Sequence, residues 1–170
     1  YEVSDDGMVY TFKLRQGVKF HNGEEMKADD VVASMNRWLE LSAKANTLIG
    51  GSVFEEVDDY TVKMTANQAS SDIIMILASP IQFAAIYPKE VVESASEEGI
   101  TEYIGTGPYK LAEWKQDQYV KLERYEDYQP SPNASTGLAD AKDVVSDVIY
   151  FRVVTDSATR IAGVENGQYD

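Results

Sequence analysis

Residues 10–37, YTFKLRQGVKFHNGEEMKADDVVASMNR, place a strand, two turns and a capped helix in one short run, and their reading decides how the rest of the chain is organised. Tyr10, Phe12 and Leu14 alternate with Thr11, Lys13 and Arg15, the period-two pattern of a strand with one buried and one wet face. Gln16-Gly17 closes that run. Val18-Lys19-Phe20 is a second, shorter alternating piece, and His21-Asn22-Gly23 brings residue types suited to a turn. From Ala28 the period changes. Val31, Val32, Met35, Trp38, Leu39 and Ser42 recur three and four apart, while Asp29, Asp30, Asn36, Arg37 and Glu40 fill the opposite side. The spacing predicts an amphipathic helix whose first-turn carboxylates favour the positive end of its dipole.

Upstream, the Asp-Gly signal in Ser4-Asp5-Asp6-Gly7 predicts a hairpin between Tyr1-Glu2-Val3 and a strand over 8–15. Downstream, residues 44–51 read as a polar loop ending in glycine. Residues 52–57 and 60–66 alternate around Asp58-Asp59 as a second hairpin, with Val53, Val57, Tyr60, Val62 and Met64 expected inward. Ser70-Ser71-Asp72 offers capping chemistry to a short buried helix over 73–78 that Pro80 stops. Pro88 and Gly99 bracket a helix over 89–98, packing through Val91, Val92 and Ala95. Gly105-Thr106-Gly107-Pro108 resets the backbone for a third hairpin, 109–115 with 119–125. Residues 127–143 lack periodicity and read as a long surface loop. The run VVSDVIYFRVV, from Val144 to Val154, has apolar residues on both faces, as an interior strand covered on two sides would. Asp156 then caps a helix over 157–166 that packs through Ile161 and Val164 and ends at Gly167. Hairpins interleaved with helices make an α+β fold, a mixed, mainly antiparallel sheet with packed helices. There is no internal repeat.

At 170 residues and 44% hydrophobic, the chain can bury a core. Its formal net charge of -14 repels phosphate backbones and anionic membrane surfaces, which excludes nucleic acid as an expected partner. Without cysteine there are no disulfides, thiolate metal sites or cysteine nucleophiles. No apolar run approaches the ~20 residues of a membrane helix, and no leader-like segment opens the chain, which starts abruptly at Tyr1-Glu2-Val3 as an excised piece would.

Catalytic chemistry finds little footing. His21 is the one histidine, so neither a zinc site nor a histidine-activated serine is expected, and its place in a turn favours a structural role. Gly105-Thr106-Gly107 lacks the Lys-Ser/Thr of a phosphate loop and leads into a strand, so it is backbone geometry. The acidic pairs Glu24-Glu25, Asp29-Asp30, Glu55-Glu56, Asp58-Asp59 and Glu97-Glu98 read as solvated charge at turns and helix ends. No metal site, catalytic residue or cofactor is expected. Two polar-to-aromatic segments beside helices, Lys44-Ala45-Asn46-Thr47-Leu48 and Ser79-Pro80-Ile81-Gln82-Phe83, are the positions where ligand contacts would concentrate.

Together, Tyr10-Thr11-Phe12-Lys13-Leu14-Arg15-x-Gly17-Val18-Lys19-Phe20-His21-x-Gly23 and Ala28-x-Asp30-Val31-Val32 resemble the signature of the extracytoplasmic solute-binding proteins of peptide/nickel-type ABC importers. Further motifs follow in that family's order: Asp59-Tyr60-Thr61-Val62, Tyr87-Pro88-Lys89-Glu90-Val91, Gly105-Thr106-Gly107-Pro108-Tyr109-Lys110-Leu111-x-Glu113-Trp114, Leu122-Glu123-Arg124-x-x-x-Tyr128 and Asp156-x-Ala158-Thr159-Arg160. Three departures stand out. Lys27 replaces the usual Thr or Ser helix cap, Asp117 takes the place of a hairpin glycine, and Gln129 replaces a tryptophan.

The resemblance implies a fragment of a two-lobed type II periplasmic-binding fold and a binding module, not an enzyme. By motif order, residues 1–128 would be the accessory subdomain of the first lobe, 129–143 a loop, and 144–170 a strand and helix returning to that lobe's main sheet. It implies capture of short peptides outside the membrane and delivery to a permease, in the periplasm or lipid-anchored at the cell surface. Nickel chelates and oligosaccharides are the alternative solutes, and a secreted carboxylate-pair hydrolase is the alternative of another class. Cleft-facing positions would fall at Asn46, Thr47, Gln82 and Phe83. On its own, the chain is expected to self-associate through Val144 to Val154, an apolar strand cut off from its sheet.

Overall fold

The structure, a computed structural model, describes residues 1–96, 99–136 and 140–170. The chain divides into two compact units: residues 1–107 with 127–129, and residues 108–126 with 130–170.

The first unit opens with the expected hairpin, β1 (Glu2–Val3) and β2 (Val9–Lys13), in which Val3 pairs with Tyr10. Val18-Lys19-Phe20 makes only an isolated bridge, Lys19 to Glu25. Helix α1 (Ala28–Leu41) follows, then α2 (Ala43–Ile49), β3 (Val53–Asp58) and β4 (Thr61–Thr65). The four strands form one antiparallel sheet in the order β1-β2-β4-β3. Its register sets Tyr10 and Phe54 on either side of Met64, and Phe12 opposite Val62. Tyr10, Phe54, Val62 and Met64 are buried with Met35 and Leu39 of α1, so the helix stripe read from the sequence closes over this face.

The register corrects the expected phase of β3. Val53 and Val57 are exposed, because pairing Phe54 with Met64 turns the larger side chain inward, and a bulge between Glu56 and Asp58 shifts the pattern again. A buried aromatic stabilises the sheet by about 1.5–3 kcal/mol relative to leaving it exposed. The bulky residue therefore sets the phase.

Two short helices complete the unit. In α3 (Ile73–Leu77), Ile73 and Ile76 enter the core, but Asp72 makes no side-chain cap; Ser70 Oγ instead accepts from the Asp72 N–H at 3.2 Å. Helix α4 (Lys89–Ser94) ends earlier than expected, since Ala95 is already extended and Ser96 bridges to Gly99. The pair Glu97-Glu98, and with it the expected end of this helix, lies outside the described residues.

Asp30 joins these elements. Lys27 offers no side-chain acceptor at the start of α1, but the Asp30 carboxylate accepts from the Lys27 N–H and from the Lys89 N–H, each at 2.8 Å. One buried carboxylate thus caps two helices. This corrects the reading of Asp29-Asp30 as solvated charge. Lys27 itself pairs with Asp59 at 2.8 Å.

In the second unit, β5 (Tyr109–Lys115), β6 (Tyr119–Arg124) and β7 (Val148–Arg152) form an antiparallel sheet in that order. Asp117 closes the β5–β6 turn at φ 58, the left-handed conformation expected where a glycine is usual. Residues 127–136 and 140–143 contain no helix or strand among those described. The interior strand expected over 144–154 is instead an edge strand of five residues with Tyr150, Phe151 and Val153 exposed. Its flank away from β6 pairs with no strand among the described residues.

Helix α5 (Ser157–Glu165) starts at Asp156, whose Oδ1 accepts from the Thr159 N–H at 2.8 Å. Its expected packing residues Ile161 and Val164 are exposed, and the buried position is Gly163, against which the Tyr169 ring lies.

Candidate functional site

The residues expected as loop over 44–51 are mostly helix. Ser42 starts α2 by accepting from the Ala45 N–H at 3.2 Å, and Ala45 and Ile49, four apart, turn into the core. The sequence signals were a serine followed by two apolar positions at helical spacing, overshadowed by Lys44, Asn46 and Thr47 between them.

Helix α2 and the segment Ser79-Pro80-Ile81-Gln82-Phe83 are brought together. Gln82 Oε1 accepts from Ser42 Oγ at 3.0 Å and from the Lys44 N–H at 3.1 Å. The Gln82 carbonyl accepts from the Trp38 indole N–H at 2.6 Å, and Lys44 Nζ donates to Ser79 Oγ at 2.6 Å. Gln82 holds the left-handed conformation, φ 54, and its three polar contacts keep it there. Trp38, Ser42, Lys44 and Ser79 build this junction, and sequence reasoning did not single them out as a set.

All four expected site residues are exposed: Asn46 and Thr47 on α2, Gln82 and Phe83 on the segment tied to it. They do not share one hollow. Thr47 lines a hollow of about 80 Å³ with Ser52 and Asn67. Phe83 lines another of about 160 Å³ with Arg37, Trp38 and Tyr87. A larger depression of about 390 Å³ lies between α2 and α3, lined by Lys44, Leu48, Gln68, Ser70, Asp72, Met75 and Ile76.

His21 is held by backbone. Its Nε2 is 3.0 Å from the Gly107 carbonyl and its Nδ1 accepts from the Gly105 N–H at 3.2 Å, so the Nε2–H tautomer satisfies both contacts. The His21 N–H also donates to the Gly105 carbonyl. The imidazole fixes the Gly105-Thr106-Gly107 turn, as its position suggested. Glu25 is similarly structural, accepting from the Gly17 N–H at 2.6 Å and the Tyr60 hydroxyl at 2.9 Å, contacts that lower its pKa below the usual glutamate value. Burial raises the pKa of Asp30 against the opposing pull of its two N–H donors. Among the described residues no group of His, Asp and Glu could hold a metal ion. No described helix is long and apolar enough to cross a membrane.

Comparison with known proteins places this geometry. Residues 1–170 match the family described as bacterial extracellular solute-binding proteins, family 5 Middle. The glutathione-binding protein GsiB of Escherichia coli K12 is 37% identical over 175 residues, covering 99% of this chain and 31% of GsiB. NikA from Brucella suis, solved with Fe(III)-EDTA, superposes with a TM-score of 0.77 at 31% identity, over 99% of this chain and 32% of NikA. The oligopeptide-binding protein AppA from Bacillus subtilis, solved with a nonapeptide, does so with a TM-score of 0.76 at 27% identity, over 99% of this chain and 33% of AppA. The chain spans about a third of the length of each. The chain belongs to the bacterial extracellular solute-binding proteins of family 5 and covers about a third of their type II periplasmic-binding fold.

Proposed function

We propose that this chain is part of the receptor of an ABC importer that captures short peptides outside the cytoplasmic membrane and passes them to the permease. The observation that carries the reading is the 37% identity, over 99% of the chain, with a protein named for binding glutathione, itself a tripeptide. AppA with its nonapeptide points the same way. Residues 1–128 would form the accessory subdomain of the first lobe, 129–143 a connecting loop, and 144–170 the return to that lobe's main sheet. The junction between α2 and the Ser79–Phe83 segment would stand at the edge of the cleft, presenting Asn46, Thr47 and Phe83, with Gln82 holding the two segments together. The receptor works free in the periplasm or lipid-anchored at the outer face of the membrane.

A ligand that binds only the folded state raises its stability by mass action. The full-length protein, heated with glutathione and with mixed di- to pentapeptides, is expected to melt at a higher temperature than without them. An increase with nickel–histidine or an oligosaccharide, and none with any peptide, would replace the peptide reading by one of those solutes.

A further inference from the structure

Residues 79–88 contain no helix or strand, yet both ends of the run are fixed. At the first end the Ser79 N–H donates to the Ile76 carbonyl at 3.2 Å, and Ser79 Oγ accepts from Lys44 Nζ. At the second, Ser34 Oγ accepts from the Tyr87 N–H at 2.9 Å and donates to the Tyr87 carbonyl at 3.2 Å, while Pro88 is fully buried. In between, the polar tie to the rest of the unit is Gln82, through Trp38, Ser42 and Lys44. Residues 83–86 make no hydrogen bond among the described residues. Asp30, Ser34, Trp38 and Ser42 stand four apart, so one stripe of α1 and its C-cap supplies both the fixed second end and the latch.

Packing holds the middle of this run weakly. Ile81 and Phe83, on either side of Gln82, are 69% and 65% exposed. Ala84 and Ile86 are half-buried against the core, but Phe83, Ala85 and Tyr87 line the hollow of about 160 Å³ with Arg37 and Trp38, so close packing does not press the run onto α1 there. Gln82, at φ 54, sits in a conformation that side chains disfavour. Letting it go exchanges three hydrogen bonds for bonds to water and relieves that strain, two effects that oppose each other. Few buried contacts and unbonded backbone mark the segments of a fold that open first. We propose that residues 79–86 are a strap with two positions: latched at Gln82, as seen, and released, bowed away from α1 between Ser79 and Tyr87. The strap stands or falls separately from the receptor reading above.

The test is fluorine NMR of the full-length protein carrying 5-fluorotryptophan, with the Trp38 resonance assigned by its loss in Trp38→Phe. Trp38 donates to the latch, so its resonance is expected to report both positions, as two lines or as one line with relaxation dispersion. Gln82→Ala and Gln82→Met, which lack the amide acceptor, should raise the released population at least about threefold. Ser34→Ala, which alters only the fixed end, should leave it within about twofold of the wild type. A single Trp38 line without dispersion in the wild type and in both Gln82 variants would overturn the strap. So would Ser34→Ala releasing Trp38 as strongly as the Gln82 variants do, since the run would then loosen throughout and have no fixed end. Circular dichroism melts of each variant separate release from lost folding.

Discussion

Asp30 shows how much of this unit hangs on one side chain. Its carboxylate serves the first N–H groups of α1 and α4, and replacing it by alanine leaves the Lys27 and Lys89 N–H donors without it. Asp30→Ala is expected to lower unfolding free energy by about 1–3 kcal/mol in urea titrations near pH 7. Because burial raises its folded pKa above 3.8, the native state holds this proton more tightly than the unfolded chain. The contribution of Asp30 therefore improves as pH falls through the raised value toward 3.8, and wild type should gain on Asp30→Asn over that window. Glu25 behaves oppositely. Its folded pKa is depressed, first by the Gly17 N–H and then by the Tyr60 hydroxyl, so its contribution is complete above 4.5 and is lost as pH falls through the lower folded value. The difference in urea midpoint between wild type and Glu25→Gln should shrink on acidification below pH 4.5; a constant difference would show that the ionised form is not what matters. At this scale the role of His21 was legible, since a lone histidine in a turn has little else to do. The role of Asp30 was not, because its second donor is 59 residues away.

Elements were legible where side-chain period and burial agree. The β1–β2 and β5–β6 hairpins and helix α1 follow from their alternation and spacing, and even the left-handed Asp117 was visible as a substituted glycine. Asp117→Gly should stabilise the second unit by about 0.5–1 kcal/mol in thermal unfolding, because glycine adopts that conformation without the Cβ clash. Helix α2 was missed because two buried positions are all that mark it, and its cap partner Gln82 comes 40 residues after Ser42. The phase of β3 was missed because a bulge breaks the alternation. For β7 and α5 the apolar pattern pointed to burial, but Phe151, Val153, Ile161 and Val164 are exposed. An apolar edge strand with an unpaired flank is a template for another strand. We expect the 170-residue chain alone to associate through Val144 to Val154 as concentration rises, by light scattering, and Phe151→Lys to reduce that association. A chain that stays monomeric at every concentration would show that the exposed strand is tolerated.

For the whole molecule, fold class and family could be read from ordered motifs, because a strand, turn and capped helix recurring with later landmarks constrain topology far more than any one of them. Substrate could not. The relatives at 25–37% identity are named or solved with glutathione, nickel, iron and peptide ligands, and this chain supplies about a third of such a protein. The central claim is therefore about the complete protein as a peptide receptor, and direct titration tests it best. Glutathione and short peptides added to the full-length protein in a calorimeter should give saturable binding at one site per molecule. No heat with any peptide, alongside saturable binding of nickel–histidine or an oligosaccharide, would contradict it.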